Sequence, residues 1–174
     1  MKQMEIWDLY DRNDNKTGEI WERLPGSYNG IPDGRYHMVC DILVQHTDGT
    51  YLLTKRHPDK EVYPGYWEAS AGGSALAGES PLECAKRELF EETGIKAEEK
   101  DFQFISHTHR DGSHSMYYSY LVVTDCVKDS IVLQEGETTE YKWVDKAGLL
   151  EYVDSDTAIK SHNDRYKEFF EKLR

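Results

Sequence analysis

The chain predicts a mixed α/β fold of the α+β kind, and three observations carry that prediction. Stretches rich in β-formers flank tight-turn dipeptides such as Asp48-Gly49 and Asp111-Gly112, a central segment has helical period with a cap at each end, and an apolar helical stripe closes the chain. At 174 residues the chain can build one domain with its own core. It divides into an N-terminal hairpin and loop (1–34), a core (35–155) and a C-terminal helix (156–174).

Glu5 to Tyr10 alternates as a strand, DRNDNKTG (11–18) is turn chemistry, and Glu19 to Arg23 returns as its partner, a hairpin that could serve as a dimer arm. Leu24 to Gly34 holds Pro25, Gly26, Asn29, Gly30, Pro32 and Gly34 and reads as a loop. Tyr36 to Gln45 and Thr50 to Lys55 form a second hairpin about Asp48-Gly49. Lys55, Arg56 and His57 end it, where cations can meet substrate phosphates. The loop YPGYW (63–67) leads into a short strand, Glu68 to Ala71; Tyr63, Tyr66, Trp67 and Tyr28 could stack a base or simply pack.

Ser80, Pro81 and Glu83 open the central helix as cap, first-turn proline and capping box, and Gly94 ends it. Leu82, Ala85 and Leu89 should face the core, which leaves Glu88, Glu91 and Glu92 on another face. Phe102 to His109 and Ser115 to Thr124 flank Arg110-Asp111-Gly112-Ser113 as a third hairpin. His107, His109 and His114 cluster near its turn; with no Cys or carboxylate at ligand spacing they read as a solvated tip. Tyr117, Tyr118 and Tyr120 suit a sheet surface or pocket wall. An acidic loop (Glu135, Glu137, Glu140) precedes the strand Tyr141 to Val144. Lys146 to Val153 is a short helix, and Thr157 to Arg174 a longer one with Ile159, Tyr166, Phe169, Phe170 and Leu173 inward.

Composition narrows the function. The formal net charge of −12 argues against a long nucleic-acid partner, which wants a basic face, but not against a small phosphate ester arriving with its cation. No apolar run reaches membrane-span length, and Met1-Lys2-Gln3-Met4 does not open a charged-then-apolar leader, so the expectation is a cytoplasmic protein without membrane attachment. Cys40, Cys84 and Cys126 are odd in number and widely spaced, as reduced core thiols would be.

Three glutamates at i, i+3 and i+4 repel one another by roughly 0.2–0.5 kcal/mol per pair, so the helix wants a compensating cation. Arg87 can supply part of it. A hard divalent ion, which takes oxygen ligands and shares them with substrate phosphates, can supply the rest. A lone cluster of this kind is more often a solvated acidic face. Here it closes a longer pattern: Gly73, five residues, Glu79, seven residues, then REL-x-EE-x-GI from Arg87 to Ile95.

That pattern resembles the Nudix box, complete at its fixed positions, and the chain is similar to the Nudix superfamily. The resemblance implies an α/β/α sandwich with a mixed sheet, and cleavage of a diphosphate linkage in a nucleoside diphosphate derivative or similar small organic pyrophosphate, with Mg²⁺ or Mn²⁺. It assigns metal binding to Glu88, Glu91 and Glu92 and to the Gly72 carbonyl, orientation of the carboxylates to Arg87, loop support to Glu79, and a further glutamate, serving the metals or the catalytic water, to the loop before Trp143. Glu137 suits that last role by its distance from Trp143, ahead of Glu140 and Glu135. Glu88 is also a candidate base. Arg56, Lys55, Trp67, Tyr66 and His37 are the candidate substrate-binding residues.

The flanks, WDLYDRNDNKTG, YHMV and LLTKRHPDKEVYPGYWEASAGG, look like Nudix proteins related to isopentenyl-diphosphate isomerase, over roughly residues 5 to 155. In that isomerase a Cys and a metal-binding His follow the Trp, where this chain has Gly72 and Ser74; His37 does match a histidine of its metal site. Hydrolysis is therefore the leading reading, with isomerisation and a non-catalytic binding module as its competitors.

Overall fold

Alternation along one strand decides the architecture. In β3 (His37–His46) the side chains of Met38, Cys40, Ile42 and Val44 are buried on one face and Leu43 on the other, so this strand must be covered on both sides. A computed structural model of the protein, describing residues 4–25 and 30–174, shows what covers them. Helix α1 (Pro81–Thr93) closes one face through Cys84, Ala85 and Leu89. Leu149 and Tyr152 of α2 (Lys146–Asp154), with Tyr166 and Phe170 near the C-terminus, close the other. No helix among the described residues is long and apolar enough to cross a membrane.

The sheet between these layers is mixed. β8 (Ser115–Thr124) runs parallel to β3 over ten residue pairs, and β7 (Phe102–Arg110) runs antiparallel at its edge. β4 (Tyr51–Arg56) pairs antiparallel with β5 (Trp67–Ala69) and β9 (Thr138–Val144), and β6 (Ala71–Ser74) with β3.

The expected hairpin of β3 and β4 is splayed, since Gln45 and Tyr51 are its one ladder pair. Ser70 is the wedge. Its Oγ donates to Leu52 O (2.7 Å) and accepts from Val44 N–H (2.8 Å), standing between strands that would otherwise pair. Ser70 also has φ of 57°, a left-handed bend that divides the expected strand 68–71 into β5 on one side and β6 on the other. The opening so created becomes the cleft described below.

The N-terminal hairpin forms as expected, from β1 (Ile6–Tyr10) and β2 (Lys16–Glu22). It docks on its own chain: Trp7 and Leu9 pack with Ile31, Tyr10 bridges to Tyr36, and Ala77 N–H donates to Ile6 O (2.7 Å). Gly26 and Asn29 of the connecting loop lie outside the described residues, as does Tyr28, the expected base-stacking candidate. The single C-terminal helix expected over 157–174 is two, α3 (Lys160–Arg165) and α4 (Lys167–Leu173), broken at Tyr166. The Tyr166 hydroxyl bonds Asp41 Oδ1 and Tyr120 O, both at 3.1 Å, and Arg165 Nε donates to Asp41 Oδ2 (2.5 Å), so the chain bends to bring both side chains to one carboxylate.

Candidate active site

The central helix begins where its sequence says it should. Ser80 accepts from Glu83 N–H, Glu83 returns the bond to Ser80 N–H, and Gly94 closes the helix with φ of 76°. This register turns Glu88 and Glu92 inward and leaves Glu91 at the rim. Gly73 has to be glycine, because a Cβ there would fall on the Glu88 carboxylate, and one at Gly72 would lie 2.8 Å from Cys40 O. Gly72 N–H points at Glu92 Oε2 (3.4 Å).

Arg87 organises these carboxylates. Its Nε and Nη2 grip Glu79 (2.5 and 3.0 Å), Nη2 also reaches Ser74 O (3.1 Å), and Nη1 reaches Glu88 Oε1 (2.8 Å) and Glu91 Oε2 (3.1 Å). Glu79 in turn accepts Leu76 N–H (2.8 Å), so it braces the loop from behind, as its expected role requires. Burial opposes the charge on Arg87, and Glu79 and Glu88 more than offset it.

One guanidinium does not neutralise the group. Burial pushes the Glu88 carboxyl up to about 7 even with Arg87 pulling the other way. Glu92 is driven well above the usual carboxylate range by burial and by its neighbours Glu88 and Glu68.

These carboxyls line a cleft of about 250 Å³ that runs between the splayed strands. Gly72, Arg87, Glu88, Glu91, Glu92, Arg56 and Glu137 all stand on its walls. Glu135 and Glu140 do not line it, and Glu137 arrives across the cleft with His57 N–H holding its carbonyl (2.9 Å) and Lys60 paired to its carboxylate.

Four of the five expected substrate-binding residues lie elsewhere. Lys55 and Arg56 are neighbours on a strand, so when Arg56 points in, Lys55 points out and pairs with Glu140 on β9 (2.8 Å). Trp67 packs on the second core cluster with Lys142 over its ring (4.2 Å), and Tyr66 is exposed beside Tyr63 (5.3 Å between centroids). His37 is buried under Trp7 (rings 4.1 Å apart, stacked) with Nε2 at Ser115 Oγ (2.9 Å); burial holds its pKa down to about 3.

Sequence reasoning missed several wall residues. Glu68 accepts from Arg56 Nη1 (3.2 and 3.3 Å) and stands 3.6 Å from His162 Nδ1, while Arg165, paired to Asp41, lies 4.0 Å over the Tyr117 ring. Lys60, His162 and Arg165 belong to no local motif. A basic residue beside an apolar stripe was the one available signal for Arg165. The solvated tip expected at His107 and His109 is also corrected: both are half-buried, and Asp14 bonds them from the N-terminal hairpin.

Comparison with known proteins shows the family. The family model for the NUDIX domain matches residues 35–172. An uncharacterized Nudix hydrolase of Listeria monocytogenes is 32% identical over 146 residues, 84% of this chain and 83% of that protein. Nucleoside triphosphatase NudI of Escherichia coli is 32% identical over 123 residues, covering 66% and 85%. The crystal structure of DR0079 from Deinococcus radiodurans superposes with a TM-score of 0.69, 98% of each chain covered, at 18% identity, which speaks to fold alone.

Proposed function

From a chain that belongs to the Nudix hydrolase family, we propose hydrolysis of the diphosphate linkage of a small nucleoside diphosphate derivative or similar organic pyrophosphate, by water attack at phosphorus and with Mg²⁺ or Mn²⁺ bound. One observation carries it: Glu88, Glu91 and Glu92 meet Gly72 on one wall of a cleft whose other wall brings Glu137 and Arg56.

The donor set suits the ion. Its ligands are all oxygens, as a hard dication prefers, and burial together with neighbouring carboxylates raises the Glu88 and Glu92 carboxyls above the usual range, a penalty that a bound cation would relieve. Glu88, Glu91, Glu92 and the Gly72 carbonyl would hold Mg²⁺ or Mn²⁺, which polarises phosphoryl oxygens and acidifies water when bound. Arg87 keeps the carboxylates apart and aimed. Arg56 and Lys60 face the entering phosphates. Glu137 takes the proton of the attacking water, held for that task by Lys60 and by the His57 amide. The three free thiols fit a cytoplasmic enzyme.

The test is a product screen in Mg²⁺ over nucleotide sugars, dinucleotides, nucleoside triphosphates and isopentenyl diphosphate; triphosphates enter because NudI is a nucleoside triphosphatase. In ¹⁸O-water the label should appear on a phosphate product, EDTA should abolish turnover, and Glu137→Gln should lower kcat far more than it raises KM. Full activity in metal-free buffer, or label on carbon, would overturn the mechanism.

A further inference from the structure

Away from the cleft, at the edge of the sheet, we infer a second metal site of different chemistry, formed by Asp14, His107 and His109 and suited to a borderline transition-metal dication such as Zn²⁺. The three ligand atoms lie within 4.8 Å of one another, and none of the three residues lines the cleft.

Two distant pieces of chain make it. His107 and His109 are i, i+2 on β7, so both rings leave the same face of the strand, their centroids 5.0 Å apart. Asp14 comes from the turn between β1 and β2, which is built to present it. Asp11 caps that turn, accepting from Asn13 N–H (2.8 Å) and Asn15 N–H (3.0 Å), and Asp14 sits in a left-handed conformation with φ of 65°. Its Oδ2 is 2.8 Å from His107 Nε2 and its Oδ1 2.7 Å from His109 Nε2.

The hydrogen bonds prepare His107 as a ligand. His107 Nδ1 is 2.9 Å from Tyr117 O, and a carbonyl can only accept, so Nδ1 carries the ring's hydrogen. In the neutral ring Nε2 is then a bare lone pair facing a carboxylate oxygen, two acceptors at contact. A proton or a metal ion between them relieves that contact. Two neutral imidazoles and one carboxylate bring a single negative charge to a dication, and the bond from Nδ1–H to a backbone carbonyl is the support a metal-binding histidine ordinarily has.

Nitrogen donors select the ion. Mg²⁺ and Mn²⁺ prefer the all-oxygen set of the cleft, whereas imidazole suits Zn²⁺ and its neighbours. A tetrahedral ion with bonds of about 2.0–2.1 Å keeps its ligand atoms about 3.3 Å apart, so entry asks the Asp14 carboxylate to withdraw by roughly half an ångström. Side-chain exposures of 21%, 24% and 34% leave room for entry, and a water completes the fourth position. The bound ion ties the N-terminal hairpin to the sheet edge.

The probe is Zn²⁺ itself, titrated by calorimetry into EDTA-stripped, dialysed full-length protein with millimolar Mg²⁺ present to occupy the cleft. The wild type should take up one Zn²⁺ per chain and melt at a higher temperature with it. Asp14→Asn and His109→Gln should each weaken uptake about tenfold or more, and Glu92→Gln should leave it unchanged. Imidazole proton resonances of two histidines should shift with Zn²⁺ in the wild type, a readout that holds whether or not a variant folds. No uptake by the wild type, unmoved histidine resonances, or uptake lost in Glu92→Gln and kept in Asp14→Asn would each overturn the assignment.

Discussion

At the scale of single residues, Glu91→Gln or Glu92→Gln should lower turnover by several powers of ten, since each removes a charge from the proposed ligand set with little change of shape. In EDTA the melting temperature should rise, more for Glu92 because it is buried beside Glu88 and Glu68, and a fall of many degrees would mark these glutamates as structural. Glu88 adds a pH dependence. A carboxyl raised from 4.5 to about 7 holds its proton more tightly in the folded protein, so its stabilising effect is full below pH 4.5 and is lost as pH rises through about 7. His37 and His162, held neutral chiefly by burial, pull the other way, their effect being lost as pH falls below the ordinary imidazole range. Comparison with Glu88→Gln isolates the glutamate: in EDTA the variant should gain stability over wild type progressively from about pH 4.5 to 7, and equal slopes would refute the assignment. These glutamates were legible in the sequence because one helix carries them at fixed spacing. Lys60, His162 and Arg165 were not, because nothing near them in the chain says where they go.

At the scale of elements, legibility follows the distance over which an element is specified. Helix α1 carries its own instructions, Ser80 and Glu83 at one end and Gly94 at the other, and it starts and stops where they say. The wedge at Ser70 and the break at Tyr166 answer to Leu52, Tyr120 and Asp41, as many as 125 residues away, and local pattern is blind to them. The Asp41 anchor is testable by itself. Asp41 and Arg165 are both almost fully buried, so Asp41→Asn leaves a guanidinium without a countercharge and should cost roughly 3–5 kcal/mol, against about 1 kcal/mol for Tyr166→Phe. Urea unfolding in EDTA measures both. Equal, small losses would mean that apolar packing alone fixes the junction of α3 and α4.

At the scale of the whole molecule the question is which chemistry the assembled cleft can run, since the sequence left isomerisation of an isopentenyl diphosphate as a competitor to the proposed hydrolysis. Incubated with isopentenyl diphosphate and Mg²⁺, the protein should form no dimethylallyl diphosphate. Moving a proton from one carbon to another needs an acid and a base on opposite sides of the alkene, within hydrogen-bond reach. Cys40 belongs to the cleft wall but is fully buried, as is Cys84, their thiols directed at Pro81 O (3.2 Å) and Gly73 O (3.6 Å), and Cys126 is not on the cleft walls. His37, which the sequence offered as a possible counterpart of an isomerase metal-site histidine, is buried and stacked under Trp7. Gly72 offers no side chain, and Gly73 has room for none while Glu88 stands against it. What does converge on the cleft is a carboxylate cluster braced by Arg87, the cluster that the proposed hydrolysis uses. The imidazole on the cleft walls is His162, kept neutral by burial and the nearby Arg165, and facing Glu68. Dimethylallyl product above the no-enzyme rate, read by chromatography or proton NMR, would sink the hydrolase-only reading and make His162 and Glu137 the first pair to replace.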